Sequence, residues 1–177
     1  MSDWKLINTS TASGASSVEF TDLTGYKIFK WVWININPSV DNAYFEVNAK
    51  VSGGAYSLAK TTTYFVAYHN ENGTGATLGY SAGDDQAQGT GYQRLSSQIG
   101  NGVDESSSGE MLMFNPASTT YVKHFYSRSN NYQGSNYTQD TNVGGYINTA
   151  SALAGVRLQC SSGTFDGTIK QYGLVAG

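Results

Sequence analysis

Apolar and polar residues alternate with a period of two through much of this chain, between short clusters of Gly, Asn, Asp and Ser. The clearest segment runs from Tyr26 to Asn37. Ile28, Val32, Ile34 and Ile36 share one face, interrupted by Lys30, while Phe29, Trp31 and Trp33 share the other. Its β-branched and aromatic content predicts a strand. With both faces apolar, the strand is expected to be covered twice: by the core on one side, and by a loop or a neighbouring subunit on the other. Phe29, Trp31 and Trp33 are the candidate subunit interface.

The strand is expected to stop at Asn37-Pro38, because proline lacks the N–H a ladder needs and restricts the residue before it. After a polar turn the chain resumes at Tyr44–Asn48, with Phe45 and Val47 pointing inward, which reads as a hairpin. The same order of apolar strand, Asn-Pro, polar turn and Tyr-led strand recurs from Met111 to Tyr126. The only two prolines thus occupy matching places. Two equivalent hairpins in a pseudo-symmetric sandwich are expected.

Lys60–Tyr68 reads as another strand, and short strands near Thr77–Tyr80 and Tyr92–Gln98 punctuate a turn-rich stretch. Leu153–Cys160 and Phe165–Val175 read as a closing hairpin. Roughly eight to ten strands with no helical period predict an all-β, jelly-roll-like antiparallel β-sandwich. A single domain is expected over residues 1–177, with residues 1–25 available as an N-terminal arm.

The 177 residues suffice for one sizeable core. Only 13% are charged, so few titratable groups can cluster. The net charge of −3, with Lys and Arg scattered, argues against nucleic acid as a partner. No segment approaches the roughly 20 apolar residues of a membrane span. Met1–Lys5 lacks the basic and apolar regions of a secretory signal, so synthesis in a cytoplasm is expected. Cys160 stands alone and shares an apolar face with Val156 and Leu158, as a buried thiol would.

Catalytic patterns are weak. His69, Glu71 and Asp84-Asp85 lack the spacing of metal ligands, and His124 alternates with Val122 and Tyr126 as a packed strand residue. Asp84-Asp85 and Asp104-Glu105 lie in Gly-rich turns, where carboxylates serve the turn rather than form a glycosidase pair. There is no Gly-x-Ser-x-Gly elbow, and Gly73-x-Gly75-x-x-x-Gly79 misses the dinucleotide spacing. No catalytic residue, metal or cofactor is assigned, and the chain reads as a binding or structural protein rather than an enzyme. Tyr132, Asn136 and Tyr137 lie in a polar, aromatic stretch. They are the candidate surface contacts, suited to a protein or a glycan because tyrosine offers large area at low entropy cost.

Several stretches carry a resemblance. They are Trp4-Lys5-Leu6-Ile7, Ser16-Ser17-Val18-Glu19-Phe20-Thr21, Lys60-Thr61-Thr62-Thr63-Tyr64-Phe65, Phe114 to Tyr126, and Ser161 to Gly173. Together the chain resembles small structural proteins of the virions of tailed bacteriophages, over nearly its whole length. It is a resemblance of strands and turns, so it brings no catalytic residue. It implies a virion location and, foremost, a capsid decoration or cement protein. Such a protein would sit on the outer capsid as a homotrimer and stabilise the shell by bridging subunits of the major capsid protein. The alternative is a tail-fibre or receptor-binding module that recognises host glycans.

Overall fold

The computed structural model describes residues 3–175. They form thirteen strands: β1 (Trp4–Ala15), β2 (Ser17–Phe20), β3 (Ile28–Pro38), β4 (Ala43–Val51), β5 (Lys60–Asn70), β6 (Ala76–Tyr80), β7 (Ala87–Gly89), β8 (Gln93–Ile99), β9 (Ser107–Phe114), β10 (Lys123–Gln133), β11 (Tyr137–Ile147), β12 (Leu153–Cys160) and β13 (Phe165–Leu174).

Every pairing is antiparallel. A large sheet runs β1-β13-β3-β9-β10-β11-β5-β6, with β7 also on β5, and a small sheet runs β2-β12-β4-β8. The sheets join where Gln133 of β10 pairs with Ile99 of β8, and where the chain turns from β1 into β2. Set beside each other, β1-β13-β3-β9 and β2-β12-β4-β8 are the two four-stranded sheets of a jelly roll. The other strands are insertions that widen the first. The expected all-β, jelly-roll-like sandwich is what the chain forms.

Four expectations are corrected by this topology. The arm expected over residues 1–25 is not free across its described residues: β1 pairs with β13 and β2 with β12, so residues 4–20 are built into both sheets. Consecutive strands β3 and β4 do not form a hairpin, because β3 lies in the large sheet and β4 in the small one. The same holds for β12 and β13. Of the two Asn-Pro units only β9–β10 is a hairpin, so the two are not equivalent and the pseudo-symmetry is absent.

Phe29, Trp31 and Trp33 are 0% exposed and fill the space between the sheets with Phe20, Phe45 and Phe165. They are therefore core, not a subunit interface. Aromatic volume decides the face, since large rings close the gap between two packed sheets more completely than β-branched side chains do. Ile36 joins this core rather than the Ile28 face, because a β-bulge intervenes. Asn35 takes φ 52° and the register with β9 shifts between Trp33 and Ile36, which turns the next side chain inward. Cys160 is buried as expected, and burial pushes its thiol up to about 12.

Ladder bonds barely connect β8 to β10, and side chains supply the missing ties. Ser129 Oγ donates to the Leu95 carbonyl at 2.7 Å, and Asn131 Nδ2 donates to that of Ser97 at 2.9 Å. The Ser96 and Ser107 hydroxyls lie 2.6 Å apart, and Trp33 Nε1 donates to Ser107 at 3.3 Å. This polar seam sits inside an otherwise apolar core.

Candidate interaction surface

The two outer faces of the sandwich differ in kind. On the small sheet, polar groups are satisfied within the chain. Arg157 Nε donates to Glu19 at 2.9 Å, Tyr56 Oη donates to the same carboxylate at 2.8 Å, and Lys50 lies 3.8 Å away. The Arg157 hydrogen bond, then that of Tyr56, holds the Glu19 carboxyl below the usual range. The Arg157 guanidinium stacks 4.1 Å from the Tyr56 ring centroid, and that of Arg94 lies 3.8 Å from Tyr44.

The large sheet presents a different outer face. Partners in register point their side chains to the same side, so continuous rows can be followed across it. One row crosses seven strands: Leu6, Tyr172, Lys30, Leu112, Tyr126, Gly144 and Thr63. The next crosses eight: Thr9, Lys170, Val32, Glu110, Arg128, Asn142, Phe65 and Tyr80. No residue of either row is buried. Tyr126, Phe65 and Tyr80 are 48%, 46% and 49% exposed, and Leu78 beside them is 79% exposed.

Aromatic pairs line this face. The Phe65 and Tyr80 rings meet edge to face at 5.3 Å, and those of Phe114 and Tyr126 lie 5.7 Å apart. His124 sits at the margin, exposed rather than packed, 6.0 Å from the Tyr146 ring. Charges alternate among the rings. Lys30 lies 4.4 Å over Trp4 and 3.9 Å from Glu110, and Arg128 grips Asp140 through two hydrogen bonds of 3.1 and 2.8 Å. The spare apolar face expected on β3 thus exists, but it is carried by Ile28, Val32 and Ile34 rather than by the aromatic residues.

The other candidate residues meet at the β10–β11 tip and divide between its faces. Tyr132 pairs with Thr138, and Gln133 with Tyr137. Tyr132 Oη donates to Asn136 at 3.1 Å on one side, while Tyr137 packs edge to face on Tyr68 at 5.3 Å on the other. Sequence reasoning missed Tyr68 because its partner lies in a strand 69 residues away, a pairing no local pattern reports. Among the described residues, no three His, Cys, Asp or Glu side chains group as a metal site would require.

Comparison of the chain with family models, with curated proteins and with solved structures returns no match.

Proposed function

We propose that this chain is a capsid decoration protein. It docks on the outer capsid of a tailed phage as a homotrimer, through the outer face of the large sheet, and clamps neighbouring capsid subunits together. One observation carries the reading: an eight-stranded face rich in exposed aromatic and aliphatic side chains, opposite a small sheet whose polar groups are already satisfied. Exposed aromatic side chains set among arginine and lysine are characteristic of protein-binding surfaces. At strand spacings of about 4.8 Å the face is roughly 34 Å across, and a few rows give on the order of 800 Å². That is the area one partner contributes to a standard stable interface.

The resemblance to virion proteins supports the location. Three linked copies turn weak individual contacts into a strong clamp. Binding that favours the expanded shell stabilises that shell by mass action. The tail-fibre reading uses the same body but places the binding groups at the β10–β11 tip.

Mixing the purified protein with expanded capsids stripped of decoration tests the proposal. Saturable co-sedimentation is expected, and its loss is expected on Phe65→Asp, which puts an unpaired charge among the exposed rings beside Tyr80. Protein that stays in the supernatant overturns the proposal.

A further inference from the structure

We propose that the open end of the sandwich holds a second binding site, a cleft for a neutral carbohydrate. It lies away from the docking face and does not depend on capsid binding. Tyr64, Val66 and Tyr68 alternate on the core side of β5, yet Tyr64 is 0% exposed and Tyr68 is 39% exposed. The core side therefore opens into a depression at this end, lined by Tyr68, Gln98, Gln133, Ser135 and Tyr137.

The lining is built, not incidental. Tyr68 and Tyr137 stand at 85° to each other, so each ring fixes the other's tilt. Gln98 takes φ 52°, a left-handed conformation that a non-glycine residue adopts only under local constraint. It sits where the pairing of β8 with β4 is irregular, as between Ala43 and Phe45, and such bulges re-aim side chains. Its amide accepts a hydrogen bond from Gln133 Nε2.

The chemistry selects the ligand class. The tyrosine rings offer apolar surface to the C–H face of a pyranose. Two amides and a serine offer both donors and acceptors, which matches hydroxyls that do both. No charged side chain lines the depression itself, and the nearby carboxylates of Asp41, against Gly134, and Glu71, beyond Ser135, disfavour an anion.

The test is retention of the intact protein on an array of immobilised neutral and anionic oligosaccharides. Binding to at least one neutral structure is expected. Tyr137→Ala and Gln98→Gly should each weaken it by at least about tenfold. Glycine suits the backbone at position 98, so Gln98→Gly removes the amide without threatening the fold. Tyr121→Ala, on an exposed turn elsewhere, should leave it unchanged. Retention of no neutral structure, retention of sialylated or sulfated ones alone, or undiminished binding by Gln98→Gly and Tyr137→Ala would each overturn the site. Because the array holds no capsid, failure here leaves the co-sedimentation result standing.

Discussion

Single residues inside the sandwich set how stability responds to pH and packing. Lys60 is 1% exposed, its ammonium donates to the Gly91 carbonyl at 2.6 Å, and burial lowers its pKa from 10.5 to about 8. Between those values the unfolded chain holds a proton that the folded one has shed. Stability therefore rises with pH in that window, by about 1 kcal/mol from pH 8 to 9. Denaturant unfolding at the two pH values should show this rise in the wild type and lose it in Lys60→Met. Gly109 is a packing case: a Cβ there would lie 2.6 Å from Trp33 and 2.5 Å from the Arg128 carbonyl. Gly109→Ala should cost about 1–3 kcal/mol by thermal or denaturant unfolding, because neither neighbour can move freely. At this scale the sequence told that β3 is doubly apolar and that Cys160 is buried. It did not tell which β3 face looks inward, since alternation defines two faces without ranking them. The Asn35 bulge that moves Ile36 between faces leaves no mark in the pattern either.

Among the elements, the seam between β8 and β10 replaces a ladder with side chains. Ser107→Ala removes the acceptor of Trp33 Nε1 and the partner of Ser96. Trp33 Nε1 is then left buried and unpaired, while Ser96 keeps its bond to Ser129 at 2.9 Å, and unfolding should show a loss of about 1–3 kcal/mol. Ser118→Ala, on an exposed turn, should cost less. The positions of β5, β6 and β8 were legible from alternation and turn residues. Their partners were not. A short polar turn such as Ser161–Thr164 serves a hairpin within one sheet or an arch between two, and the choice depends on distant strands. β1 was hidden because its polar stretch Asn8–Thr11 lies at a sheet edge, where little burial is required. β11 was hidden by its Asn, Gln and Thr content, which suits the polar seam and the exposed outer face.

At the scale of the molecule, the proposed docking rests on the contrast between a self-satisfied small-sheet face and an aromatic large-sheet face. Its rows come from strands far apart in sequence, so only the folded register assembles them. The proposed homotrimer is checked by sedimentation equilibrium, which should return three times the 19.0 kDa chain mass. Phe65→Asp should cost about 1–2 kcal/mol of unfolding free energy, since it breaks the ring pair with Tyr80 and places Asp within a strand, while leaving the protein folded and abolishing capsid binding. The most direct test of the account is a density map of the intact virion. The account predicts this sandwich on the outer capsid, with Tyr126, Phe65 and Tyr80 against the shell and the Glu19–Arg157 face toward solvent. Density for the chain only in the tail, or on the capsid with the small sheet against the shell, would contradict it.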